Sequence, residues 1–162
     1  MSKADDLAEI SAVIYRYSTA MDERQWQLMD DVFIEDAAAD MAGFLFPRGR
    51  AQIVHTIRAA IECCAITHHM NSNIEAGIAG DTARVTNKFR AWHRGKGTHE
   101  RVVFEALGNY SDEFVRTPAG WRIKHRTERS PIEILSDSSK FGGIESFFAD
   151  AMAAFAAVAK LD

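Results

Sequence analysis

The chain has 162 residues, 47% of them hydrophobic and 26% charged, with a formal net charge of −4. That length fits one domain able to bury a core without disulfides or a structural metal. The acidic balance argues against a general binder of nucleic acid or anionic membrane.

Leu7, Ile10, Ile14, Tyr17 and Met21 recur at helical spacing, which predicts an amphipathic helix over 3–21. Ser2 followed by Asp5 supplies a capping box. A short second helix is expected in QWQLMDDVF, with Trp26, Met29 and Phe33 on one side, then a short strand and turn over 36–46. Gly49 precedes a third helix over about 51–65 with Ile53, Ile57 and Ile61 as its stripe. Cys63 and Cys64 lie at its end. Adjacent cysteines make neither a disulfide framework nor a zinc site and read as reduced thiols.

From residue 67 the period changes to alternation. A strand over 67–78 and the Gly80–Asp81 turn lead into TARVTNKFRAWH, which puts Ala83, Val85, Asn87, Phe89, Ala91 and His93 on one face. Two more strands, 102–116 and 120–129, are joined by TPAG. SDSSKFGG over 136–143 is the one flexible stretch expected, and IESFFADAMAAFAAVAK predicts a C-terminal helix over 144–160 that carries Phe147, Phe148, Met152 and Phe155. Helices, then antiparallel strands, then a helix imply α+β: a curved, cone-shaped antiparallel sheet wrapped over the N-terminal helices in one domain, with its core at about 5–130. The opening MSKADDLAEI has no apolar signal core and no run approaches a membrane span, so the expectation is a cytoplasmic protein without a membrane partner.

The opening helix ending Y-x-x-x-x-D, the following Trp26, Gly49–Arg50, T-H-H-x-N-x-N at 67–73, G-D-T-A at 80–83 and G-W-R-I at 120–123 together resemble the SnoaL-like branch of the nuclear transport factor 2-like superfamily. Within it the pattern is similar to three lyases: bile acid 7α-dehydratase, scytalone dehydratase and lindane dehydrochlorinase. The resemblance implies an acid–base pair of Asp22 and His69, with Tyr17 as a hydrogen-bond donor, His93 as a second histidine and Arg126 as a cavity arginine. Where the dehydrochlorinase carries a Lys, this chain has Tyr17, which disfavours dehalogenation. The activity implied is a dehydratase working on an apolar aromatic, polyketide-like or steroid-like molecule without a cofactor. The alternatives are a non-catalytic binding or scaffold subunit, or a ketosteroid-isomerase-like isomerase. Family grounds also imply a homo-oligomer, dimer or trimer, through the open sheet face.

Read residue by residue, each candidate has a plainer role beside it. Asp22 with Gln25 three residues on is an N-cap pattern. Tyr17 lies on the core stripe and reads equally as a core aromatic. His68 and His69 must face opposite ways; apolar companions point to His68 as the inward one, the resemblance to His69. His93 at a strand end reads as structural or catalytic. Asn87, Phe89 and Trp26 are expected to line the substrate pocket. Strict alternation separates Arg126 from Trp121, so both reach one face only across a bulge. No H-x-x-x-H or H-x-x-E-H spacing, phosphate loop or G-x-S-x-G elbow occurs, so neither metal nor nucleotide is expected.

Overall fold

The computed structural model describes residues 2–41 and 44–129, together with the exposed helical positions Ala149 and Ala153. The C-terminal helix expected over 144–160 otherwise lies outside the described residues, as does the 136–143 segment.

Helix α1 spans Lys3–Asp22. Ser2 accepts from the Asp5 backbone and Asp5 accepts from the Ser2 backbone, so the capping box forms as the sequence predicts. Ile10, Ile14, Tyr17 and Met21 of its apolar stripe are buried, whereas Leu7 at the start of the stripe is exposed. A six-residue 3₁₀ turn, Trp26–Asp31, follows in place of the second helix, and Phe33 opens strand β1, Phe33–Met41. Strand β2 is Phe44–Leu45 and helix α2 is Arg50–Ile61, with Ile53, Ile57 and Ile61 inward. Arg50 explains the Gly–Arg motif: its guanidinium donates to the Phe33 carbonyl at 3.1 Å and pairs with Asp30, tying α2 to the start of β1.

Strands β3 (Cys64–Ala79), β4 (Thr82–Gly95), β5 (Val103–Thr117) and β6 (Gly120–Arg129) form an antiparallel run. With β1 and β2 they make one six-stranded sheet of order β2-β1-β6-β5-β4-β3. The architecture is α+β, a curved and unclosed sheet carrying the helices. One pair departs from the antiparallel expectation: β1 runs parallel to β6; the chain leaves β1 through β2 and α2 and re-enters the sheet at the far edge, in β3. The β4 alternation holds along its length, with residues 83, 85, 87, 89, 91 and 93 all buried.

Two bulges decide which side chains face inward. In β3, Asn73 and Ile74 together oppose Asn87, and Asn73 adopts φ 52, a conformation Asn tolerates better than most residues. The extra residue shifts the parity, so that Thr67, His69 and Asn71 before it and Ile74, Ala76 and Ile78 after it share the inner face. In β6 the ladder skips Lys124 between Ile123 and His125. Trp121, Ile123 and Arg126 are all buried as a result.

Carboxylates anchor α1 across the sheet at both ends. At its N-terminal end Asp6 accepts from the Trp121 indole at 3.1 Å and from Arg116 at 2.7 Å, and Glu9 accepts from the Trp121 backbone at 3.0 Å. At its C-terminal end the anchor is Asp22.

Candidate active site

Asp22 is the last residue of α1, where the helix dipole disfavours an anion. The local cap is Glu23, and the following 3₁₀ turn is preceded by Gln25 with no side-chain cap, so Asp22 does not serve as an N-cap. Its carboxylate is instead surrounded by donors from β3. Oδ1 accepts from the Thr67 hydroxyl at 2.9 Å and lies 2.7 Å from His69 Nδ1; Oδ2 accepts from the His69 backbone N–H at 2.8 Å. Burial alone pushes the Asp22 carboxyl up, but the His69 ring, the His69 backbone and Thr67 outweigh it and hold the group below its ordinary value. An ionised carboxylate can only accept, so Nδ1 of His69 carries a proton and donates it to Asp22. The pair is shielded: the side chains are 7% (His69) and 16% (Asp22) exposed. His68 points to solvent.

His93 stands edge-on to His69 with ring centroids 5.3 Å apart and stacks flat on Phe104 at 4.3 Å. Burial pulls its pKa down to about 3, with the neighbouring His69 adding to the effect, so its ring is neutral at physiological pH. Among the described residues its Nδ1 has no hydrogen-bond partner.

Beyond the dyad, the inner face continues as a polar row. Asn71 donates to Ser18 at 2.6 Å, and Asn87 donates to Asn71 at 2.8 Å and to the Lys88 carbonyl at 3.3 Å. The Lys88 carbonyl can only accept, which fixes the orientation of the Asn87 amide. Asn87 Oδ1 is thereby a buried acceptor without a partner among the described residues. Phe89 stacks on Tyr110 at 4.5 Å, and Gly108 makes room for it: a Cβ there would lie 2.8 Å from the Phe89 ring. Arg126 lies between the faces of Tyr17 and Tyr110, at 4.2 and 4.1 Å, and binds Asp112 through two bonds of 2.9 and 2.7 Å. Desolvation works against the guanidinium charge, but Asp112 overcomes it and the arginine stays charged. Its Nη1 is a buried donor without a partner among the described residues. Burial pushes the Tyr17 hydroxyl up to about 12, so it keeps its proton; it lies 4.0 Å from the Met41 sulfur. Among the described residues no three His, Cys, Asp or Glu side chains cluster as metal ligands, and no helix is long and apolar enough to cross a membrane.

The profile of the SnoaL-like domain matches residues 2–127, the stretch that builds both the sheet and the dyad. The chain belongs to the SnoaL-like domain family. Its relatives include the uncharacterised protein Rv2910c of Mycobacterium tuberculosis, 31% identical over 131 residues that make up 79% of this chain and 87% of the relative. The Kfla4162 protein of Kribbella flavida is similar in fold, with a TM-score of 0.77 at 21% identity over 88% of this chain and 100% of that one. A candidate scytalone dehydratase from Novosphingobium aromaticivorans gives 0.72 at 26% identity over 80% and 86%. A hexachlorocyclohexane dehydrochlorinase, LinA type 2, gives 0.72 at 14% identity over 80% and 88%. At such identities the fold is what these proteins share with the chain.

In this SnoaL-like chain Asp22, His69 and His93 come together at one end of the inner face. Tyr17, Arg126, Asn87 and Phe89 line the same face further along. Trp26 packs on the core from the 3₁₀ turn, under the guanidinium of Arg58 in α2 at 5.9 Å. Four residues of the site were not singled out from the sequence. Thr67 bridges to Asp22, Asp112 pairs with Arg126, Tyr110 stacks on it, and Arg24 reaches into the dyad's support. Arg24 carries a legible signal only in hindsight of its backbone: it takes φ 56 just past the end of α1, where glycine is the usual residue.

Proposed function

We propose that this SnoaL-like protein is a cofactor-independent lyase, a dehydratase, that removes water from an apolar small molecule through Asp22 and His69. The observation that carries the reading is the 2.7 Å contact between His69 Nδ1 and an Asp22 carboxylate that already receives two further hydrogen bonds. Such a pair holds the imidazole with Nε2 available and stabilises the imidazolium once it forms.

Nε2 of His69 takes the proton from the carbon beside a carbonyl. The electrons of that C–H bond become the new double bond as the C–O bond on the next carbon breaks. The imidazolium returns the proton to the departing hydroxide, releasing water and restoring neutral His69. His93, held neutral by burial, orders the ring edge-on rather than acting as the acid. Tyr17 and Arg126 Nη1 are the donors for the substrate oxygen that gains charge. Asn87 Oδ1 asks for a donor in return, which supports a substrate carrying both a hydroxyl and a carbonyl. The exposed Ile66 and Met70 on the outer face of β3 support self-association there.

The test uses bicyclic β-hydroxy ketones, whose loss of water creates an absorbing conjugated ketone. Replacing His69 by Ala is expected to lower turnover by about 10²–10⁴ with the circular dichroism spectrum unchanged. Double-bond migration without loss of water would instead make the protein an isomerase. Saturable binding without turnover would make it a binding protein.

A further inference from the structure

We infer that Arg24 is a positioning residue for the Asp22–His69 pair and acts on it through Thr67. The inference rests on the dehydratase reading for its catalytic meaning, but its structural content is independent of any substrate. Arg24 stands immediately after the cap of α1, and its guanidinium closes a gap between three elements. Nη1 donates to the Met21 carbonyl, to the Asp22 carbonyl at 3.4 Å and to the Thr67 hydroxyl at 2.9 Å. Nη2 donates to the Ile61 carbonyl at 3.2 Å and the Cys64 carbonyl at 3.1 Å. One side chain therefore gathers the carbonyl end of α1, the carbonyl end of α2 and the start of β3, where two helix termini leave acceptors unsatisfied.

The consequence for the dyad follows from the hydrogen-bond inventory. A guanidinium has donors only, and a threonine hydroxyl has one proton. Because Arg24 fills a lone pair of Thr67 Oγ1, the Thr67 proton is directed to its other close partner, Asp22 Oδ1, 2.9 Å away. The relay Arg24 to Thr67 to Asp22 keeps that carboxylate oriented on His69 Nδ1. It also accounts for an arginine at φ 56: the side chain is needed at a turn position where glycine would fit with less strain.

The experiment reads the His69 ring directly, by nitrogen-15 chemical shifts of the imidazole at a pH where it is neutral, in the protein without ligand. The wild-type ring is expected to show the proton on Nδ1. In Arg24→Gln and in Thr67→Val that majority should be lost as the Nε2–H form grows in, while Thr67→Ser, which keeps the hydroxyl, should restore the wild-type pattern. Arg24→Gly, free of the backbone strain, should behave like Arg24→Gln and serves if the latter folds poorly. An unchanged tautomer in both arginine variants overturns the inference. So does a change in the arginine variants that Thr67→Val does not share, since the route would then not pass through Thr67. Should the relay hold while no hydroxy ketone is turned over, the dehydratase reading alone fails.

Discussion

Two pairs of a carboxylate with a nitrogen side chain lie on the inner face of one sheet, and they are built to opposite ends. Asp112 and Arg126 face each other across neighbouring strands, wholly buried, with the guanidinium capped on both sides by tyrosine rings. Asp22 and His69 join the end of a helix to the edge strand, and Asp22 keeps partial access to solvent. The guanidinium stays charged, whereas an imidazole is a side-chain type that can take up and release a proton. Pairing alone therefore does not mark a reactive site. What distinguishes the two is the chemistry of the nitrogen partner, guanidinium against imidazole, and the partial solvent access that Asp22 keeps, and a variant at each pair should separate stability from chemistry.

The largest effect on stability belongs to the wholly buried pair. Asp112→Ala leaves Arg126 charged and uncompensated in the core, and urea unfolding should show a loss of about 3–5 kcal/mol. The double change Arg126→Met with Asp112→Leu removes both charges and fills the space, and it should recover most of that loss. Equal losses for the single and double variants would show that Arg126 contributes through its contacts with Tyr17 and Tyr110 rather than through its charge.

Acid should expose the other end of the face. The folded pKa of His93 is depressed to about 3 from an ordinary value of 6.5. Below pH 6.5 the unfolded chain takes up a proton that the folded chain refuses. Stability therefore falls as pH drops from 6.5 to about 3 and levels off beneath it. Between pH 7 and pH 4 this single group accounts for roughly 3 kcal/mol. His93→Phe keeps a ring against Phe104, so its stability curve should be flatter over that window by about the same amount. A curve parallel to the wild type would mean that water reaches the ring.

The same two regions show what a sequence reveals of a site and what it hides. Helix α1, its capping box and the alternation of β4 follow from periodicity, which reports on one element at a time. The facing of His69 does not. Counting by twos from Ile74 selects His68, and the bulge at Asn73 and Ile74 reverses the count. The bulge at Lys124 likewise turns Arg126 inward. Each bulge is a single extra residue whose existence depends on the partner strand, so no local pattern announces it. Asp22 was legible only through family likeness. Its neighbours Thr67 and Arg24 were not, because a threonine in a strand and an arginine after a helix are ordinary until the three elements meet.

The smallest change in stability should come from the pair with the greatest chemical consequence. Asp22→Asn keeps one oxygen for Thr67 and His69 Nδ1 but presents an amide N–H to the His69 backbone N–H, so one hydrogen bond is lost on a partly exposed group. About 1 kcal/mol at pH 7 is expected from urea unfolding, well below the Asp112→Ala effect. The sign with pH is also fixed. Because the Asp22 carboxyl is held below its ordinary 3.8, its contribution is fully present above that value and disappears as pH falls through the lowered one. The wild-type and Asp22→Asn curves should therefore converge at the acid end. A loss at Asp22 as large as that at Asp112 would mean that the carboxylate chiefly clamps α1 to the sheet, and the two pairs would then differ in burial but not in purpose.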